Sequence, residues 1–342
     1  MANLTASIIN RRHDMYSNFQ SKVVFIAVAL SVVFTATEIK AEQYPKGPIT
    51  MVVPWKPGGG TDRTARLFAP YLSKTLGVPV KVINMGGGGG WVAWSKMAKW
   101  DPKKDDHTIG WVNFPHMLSY LNPKMKNKNN LDSFNFLTGH SIDPCTWLVR
   151  EGDKRFQTLP EFIAYVKAHP NEITISVGGF GSDDHQAVAF AEKFIPGFKV
   201  KKIFGNNDAK KLQELYGKTA DAVGGNISYF VPHMLEGKLR PLAVLGKQRS
   251  NHLPTVPTFE EASGVKNYNF AARVLVAAPG LPDEKNKILT AAIQKAMDTP
   301  EYGVRELRGH NTLWKVDGTK LRDFLTALAA TVGKVKFWEL PK

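Results

Sequence analysis

The chain has a single cysteine, Cys145, among its 342 residues. No intramolecular disulfide can form, no CxxC redox pair exists, and the residue reads as a small buried hydrophobe rather than a nucleophile. Nucleotide-binding signatures are missing as well. No cluster gives GxGxxG, because the sixth position counted from Gly58 is Arg63 and from Gly86 is Trp91, and GxxxxGK[ST] occurs nowhere. There is no GxSxG elbow and no HExxH, and the nine histidines are scattered without metal-ligand spacing. The chain also lacks an internal repeat, a low-complexity linker and an Arg-rich tract. These absences exclude the common nucleotide, zinc and hydrolase motifs, and they imply that any two lobes are joined by strands rather than by a tether.

What is present begins with an export signal. Arg11, Arg12 and Lys22 precede the apolar run Val23 to Phe34, and small residues follow it. Spanning a bilayer takes roughly 20 apolar residues, and Glu38 and Lys40 close this run well short of that. The order reads as a secretory signal peptide over residues 1–41, cut after Ala41. The formal net charge is +15, and removing the leader's four basic and two acidic residues leaves +13. Lysines spread through helices and loops argue against a nucleic-acid partner and for a basic surface that attracts anionic solutes.

After Glu42, short β-branched runs alternate with amphipathic stretches, the pattern of an α/β fold with largely parallel sheets. Ile49–Val53, Val80–Ile83 and Thr108–Val112 are the first strands, with helices over Thr61–Leu76 and Trp91–Lys99. Pro70 predicts a kink in the first helix. Thr158-Leu159-Pro160-Glu161 is a helix start, with a capping threonine and a proline in the first turn. Strands at Ile173–Val177 and Val200–Phe204 follow, with helices at Asp183–Phe194 and Asp208–Tyr216. A short strand near Ala222, the strand Arg273–Ala277, and helices at Asp283–Met297 and Thr319–Lys336 complete the series.

Three glycine clusters occupy strand-to-helix turns: Gly58-Gly59-Gly60-Thr61-Asp62, Gly86 to Gly90, and Gly178-Gly179-Phe180-Gly181-Ser182. Turns at the carboxyl edge of an open α/β sheet are where ligands bind, and helix N-termini there favour anions. Gly58, Gly59, Gly60, Thr61, Gly88, Gly89 and Gly181 are therefore candidates for a carboxylate site. Asp62 would repel such a ligand, so it is expected to order its loop or to receive a donor group. Trp55 stands where it can line the cleft. Ser182 reads as a helix cap and His185 as a lining residue or structural hydrogen bonder, which is more economical than a Ser-His hydrolase.

Together these segments resemble the tripartite tricarboxylate receptors, the Bug family. The resemblance is carried by Tyr44-Pro45-Lys46-Gly47-Pro48-Ile49, by Val53-Pro54-Trp55-Lys56-Pro57-Gly58 with Gly59-Gly60-Thr61-Asp62, and by Val82-Ile83-Asn84-Met85-Gly86. Gly181-Ser182 with His185, Gly237-Lys238-Leu239-Arg240-Pro241, and Val256-Pro257-Thr258-Phe259-Glu260 continue it. The resemblance implies a two-lobed periplasmic binding protein of type II, a Venus flytrap in which each lobe is a mixed, mostly parallel sheet flanked by helices. Lobe 1 would comprise 42–144 and 268–342, and lobe 2 would comprise 145–267, with crossovers near Cys145–Arg150 and Phe270–Ala277.

It further implies a monomeric, cofactor-free receptor in the periplasm. Such a receptor holds a small carboxylate, an aromatic acid or a di- or tricarboxylate, on the first loop and the Gly181-Ser182 turn. It would hand the ligand to large and small integral membrane subunits or present it to a membrane sensor. The chain departs from the family at Met85-Gly86-Gly87-Gly88, where Arg-Pro-Gly-Ala is usual, at Phe204-Gly205-Asn206-Asn207, and around Ala272-Arg273-Val274. Phe204, Asn206, Asn226 and Arg273 are the candidates for contacts that choose the ligand.

Overall fold

The structure is a computed structural model that describes residues 44–205 and 207–339. The expected leader, its cut after Ala41, and Asn206 lie outside the described residues. Among the described residues no helix is long and apolar enough to cross a membrane.

Among the described residues there are ten strands and ten helices, and every strand and helix that the sequence predicts is among them. The strands are β1 (Ile49–Val53), β2 (Val80–Asn84), β3 (Thr108–Phe114), β4 (Asn135–Arg150), β5 (Thr174–Val177), β6 (Lys201–Phe204), β7 (Ala222–Asn226), β8 (Leu239–Val244), β9 (Phe270–Ala277) and β10 (Thr312–Leu313). The helices are α1 (Gly60–Leu76), α2 (Trp91–Met97), α3 (Leu159–Ala168), α4 (Asp183–Phe194), α5 (Asp208–Tyr216), α6 (Ile227–Leu235), α7 (Phe259–Ser263), α8 (Asp283–Met297), α9 (Pro300–Arg308) and α10 (Gly318–Val335). α1 runs unbroken through Pro70, where a kink was expected. Thr158 caps α3 as expected, accepting from Glu161 N–H, while the Glu161 carboxylate turns to Gln157 N–H.

The strands lie in the order β2-β1-β3-β9-β4-β7-β5-β6, with β8 and β10 also paired to β4. β1, β2 and β3 are parallel, and β9 runs antiparallel between β3 and β4. Burial follows position. Central β1 is almost wholly covered, whereas edge strand β2 alternates half-buried with exposed residues.

β4 joins the two sheets. At about 3.3 Å per residue, its 16 residues extend well beyond an ordinary strand. Residues up to Pro144 pair with β9, and from Cys145 onward the strand pairs with β7 and β8. Proline has no N–H to give a ladder, which suits Pro144 to the point of exchange. The chain returns between β8 and β9, and here three backbone hydrogen bonds close a ring: Cys145 N–H to Asn269 O, Asn269 N–H to Leu245 O, and Leu245 N–H to Cys145 O, at 2.9, 2.8 and 2.8 Å. The first crossing thus falls at the start of the expected segment. The second precedes Phe270–Ala277, all of which belongs to the first sheet, because β9 is held on both sides by β3 and β4.

Each sheet carries its own apolar core. Trp91, Trp94, Phe114 and Met117 pack on the first, and Trp147, Phe156, Phe162 and Phe198 on the second. The C-terminal turn bridges them: Phe337 is fully buried with its ring 5.8 Å from His185, and Lys193 Nζ donates to Lys334 O at 2.6 Å.

Candidate functional site

The turn from β1 into α1 is ordered from below by Asp62. This buried carboxylate accepts from Gly58 N–H (2.9 Å), Arg66 Nε (3.1 Å) and Asn84 Nδ2 (2.8 Å). Burial alone would raise its pKa, but these donors hold it below the ordinary value. Asp62 therefore orders the loop, one of the two roles expected of it. Gly58 takes φ +89°, a region open to glycine.

Asn113 of β3 fixes the rest of the loop, accepting from Trp55 Nε1 (2.9 Å) and donating to Thr61 Oγ1 (2.8 Å). The second glycine run supports Trp55 from beneath: a Cβ at Gly86 would stand 3.0 Å from Lys56 N and 3.2 Å from Trp55 C. Gly88 and Gly89, at φ +56° and +62°, are exposed on that run.

α1 begins at Gly60 with no side chain capping it. Its first N–H groups and the positive end of its dipole are therefore left for another acceptor. Beside them lies Arg273, on β9 in register with Asn113 and Ser141. It is 5% exposed, and its Nη2 is so near that a Cβ at Gly60 would come within 2.9 Å of it. Its one hydrogen bond is a long contact to Ser141 Oγ (3.4 Å), Nε has no partner, and no carboxylate of the described residues pairs with it. The carboxylates of Asp143 and Glu306 act on it only from beyond ion-pair distance, so an anion placed directly between the guanidinium and the helix N-terminus is favourable.

The opposing turn is arranged differently. Ser182 caps α4 by accepting from His185 N–H (3.2 Å) and hydrogen-bonds to Asp184. Asp184 also accepts from Gly178 N–H (2.8 Å) and from Lys211 Nζ (2.7 Å). The His185 Nδ1 accepts from Gly181 N–H (3.1 Å), and its ring is enclosed by Phe180, Phe204 and Phe337. Burial lowers the His185 pKa to about 4, against an upward pull from Asp184. With Nδ1 bonded to the backbone, the ring does not activate Ser182.

Asp183 is the residue of this turn that reaches the first sheet. Its Oδ2 accepts from Asn226 Nδ2 (2.6 Å) and from the Cys145 thiol (3.1 Å), and Oδ1 lies 3.8 Å from His116 Nε2. His116 follows β3 and meets the Trp55 indole edge-on, 5.4 Å between centroids. Burial, with the carboxylates of Asp183, Asp184 and Asp143, pushes the Cys145 thiol pKa up. A Cβ at Gly181 would stand 3.4 Å from Phe337 and 3.5 Å from Ser119, so the two sides approach closely here as well.

The structure thus gathers Trp55, Gly58 to Asp62 and Arg273 on one side and Gly181, Ser182, His185, Phe204 and Asn226 on the other. Asn226 is turned to Asp183. Asn113, His116 and Asp143 were not singled out from the sequence. The position of Asn113 and His116 at the carboxyl end of a predicted strand is the signal that could have found them. A surface depression of about 930 Å³ lined by Arg150, Lys154, Arg155, Tyr216, Lys218 and Lys238 lies at the opposite edge of the second sheet and shares none of these residues.

Two sheets exchanging strands at a cleft edged by strand-to-helix turns define a two-lobed α/β solute-binding protein. The family model described as tripartite tricarboxylate transporter family receptor matches residues 64–333, and the chain belongs to that family, one of binding proteins rather than enzymes. It is 30% identical to the "UPF0065 protein in gbd 5'region" of Cupriavidus necator, over 86% of this chain and 87% of that one. It is 28% identical to Protein BugT of Bordetella pertussis, over 80% and 82%. Among solved structures, MatC of Rhodopseudomonas palustris with bound malate superposes with a TM-score of 0.75 at 25% identity, covering 85% of this chain and 99% of that one. An R. palustris protein with adipate gives 0.77 at 23%, covering 85% and 97%, a likeness of fold.

Proposed function

We propose that this chain is an exported periplasmic receptor that captures a small carboxylate between the Gly58–Asp62 loop and the Gly181–His185 turn and delivers it to the membrane subunits of a tripartite transporter. The observation that carries the reading is Arg273, buried and unpaired beside the uncapped start of α1. A ligand carboxylate supplies the missing charge and accepts from the free N–H groups. The malate and adipate in the solved relatives support the same class. The two lobes, 42–144 with 268–342 and 145–267, close on the ligand, and the closed form is what the transporter recognises.

Isothermal titration against mono-, di- and aromatic carboxylates, with amides and sugars as controls, tests this. Acid binding that weakens at least about tenfold in Arg273→Gln is expected from the loss of one charge-assisted contact. Binding of amides or sugars with no acid bound would overturn it. N-terminal sequencing of the exported protein should begin near Glu42, and a start at Met1 or Ala2 would refute cleavage.

A further inference from the structure

The two sides of the cleft differ in sign. On the first sheet stand the uncapped α1 terminus and the Arg273 guanidinium, which call for an anion. On the second, the α4 terminus is already satisfied by Ser182 and Asp184, and the residue directed back across the cleft is a carboxylate, Asp183. A ligand carboxylate placed at this turn would meet that negative charge. The turn is therefore suited to the opposite end of the ligand.

Asp183 is held in place and not fully used. Asn226 and Cys145 both bond to Oδ2, whereas Oδ1 has only His116 Nε2 at 3.8 Å, beyond hydrogen-bond length. The side chain retains 5% of its surface, and the imidazole keeps 21%. Asn226 Nδ2 ties the two sides together, donating to Asp183 Oδ2 (2.6 Å) and to Asp143 O (3.1 Å), and Asp143 stands opposite Ala271, two residues before Arg273 on β9, so both poles face the same stretch of the cleft. Asp143 itself is occupied by Ser228, through both the backbone N–H (3.2 Å) and the hydroxyl (2.5 Å).

We propose that the cleft selects a carboxylate that also carries a protonated nitrogen, the carboxylate meeting Arg273 and the α1 terminus and the nitrogen donating to Asp183 Oδ1 beside His116. The inference rests on the carboxylate reading of the same site and adds the second functional group of the ligand. His116, which can donate from its ring, and Trp55 behind it form the wall along which the ligand backbone lies.

Matched pairs of acids differing only in the nitrogen provide the test: butyrate against 4-aminobutyrate and succinate against aspartate, titrated into the mature wild-type protein by calorimetry. The amino member of at least one pair should bind about tenfold tighter or more, as expected for one charge-assisted hydrogen bond. Asp183→Asn should remove that preference, the two members of each pair then binding with a ratio of about one. If the plain acids bind and the amino acids do not, the inference fails and the carboxylate reading survives. If no acid binds, both fail. A preference that persists unchanged in a folded Asp183→Asn protein also overturns the assignment. Should that variant not fold, the wild-type pairs decide alone, because plain acids binding as tightly as their amino partners refute it.

Discussion

Gly60 and Arg273 share one volume: the space that a side chain at Gly60 would fill is held by the Arg273 guanidinium, 2.9 Å from the Cβ position. Gly60 has no positive φ to demand glycine, so its small size and not its flexibility matters here. Gly60→Ala is accordingly a probe of the arginine. Its unfolding temperature should stay close to wild type, while carboxylate affinity drops about tenfold as the guanidinium is displaced. Calorimetric unfolding and titration of the same sample check this, and unchanged affinity would show that Arg273 does not touch the ligand.

Acid should weaken the fold through two histidines buried without charge. Burial lowers His185 to about 4, and burial with the nearby Arg273 charge lowers His140 to about 3. Unfolded, both titrate near 6.5. Their contribution is thus complete above pH 6.5 and is lost as pH falls toward 4 and then 3. Asp143 acts in the other direction. Burial raises it to about 6 against Arg273 and Ser228, so its contribution is present below its unfolded value of 3.8 and lost as pH rises through 6. His252, also lowered by burial, adds to the loss, and Glu306, raised by burial, opposes it with Asp143, so three groups against two give a net decline. Urea midpoints should fall between pH 6.5 and 4, less steeply in His185→Gln and more steeply in Asp143→Asn.

Lys211 neutralises the buried Asp184 at 2.7 Å and also reaches Asp208 and Gly224 O, both at 2.8 Å. Lys211→Met keeps the apolar stem and strands Asp184. Denaturant unfolding should show a loss of about 3–5 kcal/mol, the usual result of breaking a buried pair from one side. Replacing both residues by apolar ones should recover part of it.

Phe337 closes the far wall of the His185 pocket and touches the Gly181 turn. Phe337→Ala should cost about 3–5 kcal/mol of stability, as large-to-small changes in a core do. It should also weaken ligand binding, because the turn loses its backing. An affinity equal to wild type in a folded variant would mean that the turn stands without the C-terminal segment.

The helices α4, α5 and α8 were readable to the residue, since each opens on an acidic first turn and keeps apolar spacing to its end. β4 was not. Gly139, His140, Ser141, Asp143 and Pro144 interrupt its pattern, and it is a strand because β9 and β7 take it up in succession. α6 was hidden by Pro232 within it, and α9 by the proline that opens it. At the cleft, the loop from Gly58 to Asp62 could be named from local chemistry, and Arg273 from the departure of its strand from the family pattern. The approach of Asp183 to His116 could not, because it is created by the packing of one sheet's turn against another's, with no spacing in the chain to announce it.

The ring through Cys145, Leu245 and Asn269 sets how the molecule can come apart. Three chain segments meet there with their peptide groups already mutually engaged, so turning one sheet against the other must twist strands instead of releasing amides. A joint of that kind behaves like a flat spring, yielding in bend and resisting separation. Heating should therefore melt both sheets in one endotherm, and the amides of these three residues should be among the last to exchange their hydrogens.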